Sequence, residues 1–124
     1  MSTVQHRQLS PHFATWESQC PCGCGFGLNP GDVYPPLLGP LEELRKAYGA
    51  PLNVNSWCRC VRWEKRKGRS GKSQHTKGKA VDIRCGDLKR LVRLAEKIPA
   101  FRDGGIGIYK TFVHVDVRGK RARW

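Results

Sequence analysis

The sequence has no long hydrophobic run. No stretch approaches the roughly 20 apolar residues that a bilayer-spanning helix needs, which argues against a helical membrane span. Acidic residues are scarce, with 10 Asp and Glu against 23 Lys and Arg. The resulting formal charge of +13 predicts attraction to polyanions: nucleic acid, an anionic envelope polymer or a membrane surface. Charge alone does not choose among them. No internal repeat is present, which argues against a solenoid. The opening segment "MSTVQHRQLSPHFATW" lacks the apolar core of a secretory signal, so synthesis in the cytoplasm without a recognisable signal peptide is expected.

The C-x₂-C pairs of a usual zinc finger are also missing. The six cysteines fall instead in the tighter spacings "CPCGC" and "CRC", as Cys20, Cys22, Cys24, Cys58 and Cys60, with Cys85 apart. A cytoplasmic origin argues against full oxidation. Small buried thiols or one or two disulfides are the favoured reading, with a second, structural metal site as the alternative.

What is present suffices for one small domain. The 124 residues are 39% hydrophobic, enough for a modest core. Residues 1–36 read as an irregular, cysteine-containing segment, and residues 37–124 as the core of the domain. In "PLLGPLEELRKAYG", Leu37, Leu38, Leu41, Leu44 and Tyr48 recur at helical spacing. Pro40 suits a first turn and Gly49 a stop. "LNVNS" alternates as a strand, and "RWEKRKGRSGK" reads as a basic loop without periodicity. "AVDIRC" is a second strand. "DLKRLVRLAEKI" is an amphipathic helix that buries Leu88, Leu91, Val92, Ala95 and Ile98, with Asp87 as its N-cap. "GGIGIY" and "FVHVDVR" form a hairpin with Lys110 and Thr111 near its turn. The fold class is α+β, an antiparallel sheet with helices packed on it.

Alternation along those strands carries the chemistry. Val113, Val115 and Val117 point one way, and Phe112, His114, Asp116 and Arg118 the other. Val81 and Ile83 go to the core, while Ala80, Asp82 and Arg84 share the opposite face. Asp82, His114 and Asp116 therefore meet on one side of the sheet. His75 comes from the loop before the second strand, which Gly78 lets bend close. Two imidazoles and one carboxylate make a zinc-binding set with a fourth position open to water. A His and an Asp seven apart are weak evidence by themselves, since His75, His114 and Asp116 can equally be solvated.

"SQHTKGKAVD" resembles the S-x-H-x-x-G-x-A-x-D motif of the D-alanyl-D-alanine carboxypeptidase-type zinc peptidases, a group that shares its fold with hedgehog signalling domains. "GGIGIYKTFVHVDVR", ending near "RARW", is similar to the C-terminal motif of one branch, which contains bacterial and phage cell-wall peptidases. "VNSWCRC" is similar to the Ser-Gly-x-Arg segment, with Trp57 where Gly is usual and Arg59 in place. The order and spacing fit across roughly residues 40–124. The resemblance implies a hedgehog-like fold and His75, Asp82 and His114 as zinc ligands. It implies that Ser73 hydrogen-bonds substrate and that Arg59 holds a substrate carboxylate or stabilises an oxyanion. Several relatives carry a carboxylate three residues before the last His. Here that position is Thr111, which cannot act as a base, so Asp116 is the candidate base, with an orienting role on a ligand His as its alternative. Tyr109 is a further candidate for contact with substrate and oxyanion.

The function expected from this resemblance is hydrolysis of peptide bonds in peptidoglycan stem or cross-bridge peptides, by carboxypeptidase or endopeptidase action. The positive charge fits anionic cell-wall polymers, and a phage-type lysis enzyme acting at the wall as a monomer is one form of the expectation. Two other classes compete. One is a metal-containing binding domain without activity. The other is a nucleic-acid-binding module built on basic residues 62–72 with Trp57 and Trp63; it leaves His75, Asp82 and His114 unexplained.

Overall fold

A computed structural model describes residues 6–124. Strands β1 (Gln8–Ser10) and β2 (Phe13–Ala14) form a small hairpin, followed by the short helix α1 (Thr15–Ser18). Helix α2 (Pro35–Tyr48) leads into β3 (Asn53–Ser56), and α3 (Val61–Arg66) precedes a 3₁₀ turn at Gln74–Lys77. Then come β4 (Ala80–Arg84), α4 (Leu88–Ala95), α5 (Pro99–Arg102), β5 (Gly105–Ile108), β6 (Val113–Asp116) and β7 (Ala122–Arg123). The main sheet has five strands in the order β3-β4-β6-β5-β7. Its pairs are antiparallel except β5 with β7, which run parallel. The architecture is thus α+β with a mostly antiparallel sheet, and among the described residues no helix is long and apolar enough to cross a membrane.

One face of the sheet is apolar because alternate strand residues are. Val81 and Ile83 of β4, Val113 and Val115 of β6 and Ile106 of β5 are fully buried. They pack against Leu37, Leu41 and Leu44 of α2, Leu91 and Ala95 of α4, and Phe101 of α5 in one core. The last turn of α2 closes at Gly49, which is left-handed at φ +77° and donates to the Arg45 carbonyl at 3.1 Å. Asp87 caps α4 by accepting from the Arg90 N–H at 3.0 Å. Helix α4 stops at Ala95, but Ile98 beyond it still points into the core.

Three expectations need correction, and one strand is new. The basic stretch at 62–72 is not all loop: residues Val61–Arg66 form α3. Its buried side is the polar Glu64 rather than an apolar stripe, so hydrophobic periodicity cannot reveal it. Within 6–36, two short strands, a helix and a 3₁₀ turn interrupt the expected irregular segment, 19–29 with its cysteines carries no helix or strand, and residues 1–5 lie outside the described part. Helix α2 begins at Pro35, so Pro40 sits inside it. There its ring leaves the Pro36 carbonyl without the N–H that an ordinary residue at this position would donate. Finally, the short β7 adds a parallel edge that two residues of pattern cannot announce.

Candidate metal centre

The register of β4 and β6 decides the site. Asp82 lies directly opposite His114, and Ala80 opposite Asp116. All four side chains point away from the helices, and all are buried. On β5, Gly107 lies opposite His114. The Trp124 indole occupies the space where a Gly107 side chain would be, 4.9 Å from the His114 ring centre to centre. The strand pattern "GGIGI" follows from such approaches, since a Cβ on Gly105 would likewise run into the Asp116 carboxylate.

His75 enters from the 3₁₀ turn, which Gly78 closes at φ +68°. Its ring is 1% exposed and sits edge-on to His114, with centroids 5.1 Å apart. His75 Nδ1 lies 2.7 Å from the Trp57 carbonyl, an acceptor only, so Nδ1 carries the hydrogen and donates. The Nε2 lone pair then faces Asp82 Oδ1 at 3.2 Å, with no hydrogen-bond partner. His114 has a carboxylate against each ring nitrogen, the nearer being Asp116. Its Nε2 lies 2.6 Å from Asp116 Oδ2 and its Nδ1 3.0 Å from Asp82 Oδ1; in the neutral ring the shorter contact holds the hydrogen on Nε2, and the Nδ1 lone pair then faces Asp82.

Two neutral imidazoles thus aim lone pairs at one carboxylate oxygen. Acceptor facing acceptor is repulsive, and a cation shared among them relieves it. His75 Nε2, His114 Nδ1 and an Asp82 oxygen all lie within 4.8 Å of one another, so the donor set fits a metal ion. Without a metal, a proton takes part of that place. Burial favours neutral His114, but the Asp116 and Asp82 carboxylates outweigh it and raise its pKa above the ordinary 6.5. Burial pushes the Asp82 carboxyl up, yet the His114 and His75 imidazoles against it hold it well below the usual range. The Asp116 carboxyl is likewise held low against burial, by His114 and Arg118.

Asp116 is saturated. Oδ1 accepts from the Gly105 N–H at 2.9 Å, the Arg118 N–H at 3.1 Å and Arg118 Nε at 3.0 Å. Oδ2 accepts from His114 and from Arg118 Nη2 at 2.7 Å. The carboxylate is fully buried and lies across the His114 ring from the lone pair that faces Asp82. This is the placement of a group that orients a ligand histidine. A proton acceptor in the cleft needs a free lone pair there, which Asp116 does not have.

The remaining candidates line a cleft of about 290 Å³ above the cluster. Arg59 is 3.9 Å from Asp82 Oδ2 and 3.7 Å from Glu64 Oε2, and its Nε has no hydrogen-bond partner. Ser73 donates its hydroxyl hydrogen to Glu64 Oε1. Tyr109 is 43% exposed, and its hydroxyl accepts from Trp124 Nε1 at 2.8 Å. Arg69, Lys72 and Arg118 add positive charge to the walls. A larger cleft of about 670 Å³, between Cys85–Arg93 and Ile108–Lys110, touches this region only at Tyr109 and lacks the His and Asp cluster.

Three contributors were not singled out from the sequence. Glu64, wholly buried at the heart of α3, anchors Ser73 and approaches Arg59 and Arg69. Its one signal is an acidic residue alone in "RWEKRKGR". Arg118 clamps Asp116, and the Trp57 carbonyl sets the His75 tautomer. A main-chain acceptor leaves no trace in residue identity.

Comparison with known proteins identifies a family. The Peptidase M15 family matches residues 11–116. A curated relative, the probable peptidoglycan L,D-endopeptidase MepK of Haemophilus influenzae, is 36% identical over 58 residues, covering 45% of this chain. The match spans only 31% of the relative's length.

Proposed function

The chain belongs to the Peptidase M15 family, and from that premise we propose that it is a zinc-dependent peptidase acting on the stem or cross-bridge peptides of peptidoglycan at the cell wall. The observation that carries the reading is the convergence of two imidazole lone pairs on Asp82 at the floor of a cationic cleft. We assign His75, Asp82 and His114 as the ligands, a nitrogen and oxygen set that suits zinc. Zinc held by these residues would supply Lewis acidity, for polarising a carbonyl and lowering the pKa of a water.

The chain's own residues do the rest. Arg59 has its counter-charges at 3.7 and 3.9 Å, beyond charge-assisted hydrogen-bond range, so its donors remain free for a substrate carboxylate or an oxyanion. Tyr109 accepts from Trp124, which leaves its own hydroxyl hydrogen to donate into the cleft. Ser73 gives its hydrogen to Glu64 and keeps lone pairs to accept a substrate N–H. Asp116 holds the hydrogen of His114 on Nε2, so that Nδ1 stays a ligand. In this role it positions a ligand and does not itself take a proton from the nucleophile.

The cationic walls suit peptides that carry free carboxylates and a polyanionic wall around them. The relative's named endopeptidase activity supports internal cleavage over trimming of a terminal residue. The test is digestion of purified peptidoglycan with zinc-loaded protein, read by mass spectrometry of the soluble fragments. New peptide ends are expected, and their loss in His114→Ala together with zinc from the cluster. Zinc-loaded protein that binds the polymer and releases no fragment refutes the peptidase reading in favour of a binding domain.

A further inference from the structure

We propose that Cys20, Cys22, Cys24 and Cys60 hold a second zinc ion, in a structural site separate from the His and Asp cluster. Their four sulfurs lie within 4.8 Å of one another. Cys22 Sγ is 3.5 Å from Cys20 Sγ and 3.6 Å from Cys60 Sγ. Four thiolates around zinc at bonds of about 2.3 Å sit about 3.8 Å apart along each tetrahedral edge. The spacing therefore already approximates the coordinated geometry.

The chain is bent to make this arrangement. Gly23 and Gly25 stand between and beside the three close cysteines in left-handed conformations, at φ +78° and +96°. The Gly23 N–H closes a turn on the Cys20 carbonyl at 3.2 Å. Cys60 arrives from a segment 36 residues further on than Cys24. Main-chain donors aim at the sulfurs: the Cys60 N–H at Cys20 Sγ (3.4 Å) and the Trp63 N–H at Cys60 Sγ (3.3 Å). Such donors stabilise thiolate charge, which four sulfurs around one dication retain in excess. All six cysteines are free thiols, and Cys58 and Cys85 stand outside the cluster. A disulfide pairs sulfurs two at a time; a common centre for all four is what one metal ion requires.

The site has a mechanical consequence. Cys60 follows Arg59 and caps α3, whose Glu64 anchors Ser73. Residues 20–24 belong to the N-terminal segment, which touches this region elsewhere through the Cys58 N–H on the Ser18 carbonyl at 3.1 Å and the Phe13 ring against Trp57. The ion staples that segment to the strip of chain carrying Arg59. Structural zinc of this kind contributes directly to folding free energy.

The experiment measures metal content and thiol reactivity on the full chain, purified under reducing conditions. Wild type is expected to hold two zinc ions per chain, and His114→Ala and the Cys22→Ser/Cys24→Ser double variant one each. Replacing zinc by cobalt should give a thiolate-to-cobalt charge-transfer band in wild type and in His114→Ala, absent in the cysteine variant. Without any variant, a chelator should make the four cluster thiols react with Ellman's reagent when they did not before. Cluster thiols that react equally with and without chelator overturn the proposal. So does a wild-type mass showing disulfides among these four, or cobalt protein without the charge-transfer band. If one zinc is found, lost in His114→Ala and kept in the cysteine variant, the structural site fails while the peptidase reading stands. A band that persists in a variant without peptidase activity separates the two in the other direction.

Discussion

Replacing Asp116 by Asn tests whether this carboxylate orients His114 or acts as a base. The substitution keeps size and removes charge. In the wild type one oxygen accepts from Gly105 and Arg118, and the other from His114 and Arg118. An amide must put its NH₂ in one of these two places. If the NH₂ faces His114, the imidazole must accept at Nε2, and its hydrogen moves to Nδ1, the nitrogen assigned to the metal. If it faces Gly105, donor meets donor at a fully buried position. Either arrangement strands a buried donor, at about 1–3 kcal/mol. The expected result is a melting temperature lowered by several degrees and zinc affinity weakened roughly 10- to 100-fold. Turnover should recover when zinc is raised to saturation. Zinc affinity comes from chelator competition, and kcat and zinc occupancy are read on the same preparation. Unchanged zinc affinity with turnover down roughly 10²- to 10⁴-fold at full occupancy refutes the orienting role and makes Asp116 the base.

The raised pKa of His114 in the metal-free protein sets the pH dependence of metal binding, because proton and metal compete for one ring. Affinity should fall roughly tenfold per unit as pH drops below a point above 6.5, and titration calorimetry giving a flat affinity between about pH 5 and 8 contradicts this. Gly107→Ala places a Cβ against the Trp124 indole. It should lower stability by about 1–3 kcal/mol, and an unchanged denaturation midpoint rules that packing out. Wall binding should weaken steeply with salt, since exposed charges are screened within about 8 Å at physiological ionic strength. Neutralising the exposed Lys65, Arg66 and Lys67 should reduce wall binding in a pelleting assay and spare turnover of a soluble peptide; salt-independent binding argues against the charge mechanism.

Much of this was legible in the sequence, and the limits are physical. Strand alternation places Val81, Ile83, Val113 and Val115 on one face and Asp82, His114 and Asp116 on the other, because side-chain direction in a strand has period two. The helices at 35–48 and 88–95 declare themselves through apolar spacing and, for the second, through Asp87. What residue order cannot contain is register and the far side of each ring. Only the pairing of Asp82 with His114 brings those groups within 3.0 Å, and only the Trp57 carbonyl on one imidazole and Asp116 on the other decides which nitrogens face the metal position. The same holds for Asp116 itself: its place in the sequence suits a base, whereas six hydrogen bonds from four neighbouring groups leave it none of the freedom a base needs. The cysteines make the contrast plainest. Their spacing names no ligand set, because Cys60 joins Cys20, Cys22 and Cys24 only when the folded N-terminal segment lies against the strip of chain that carries Arg59.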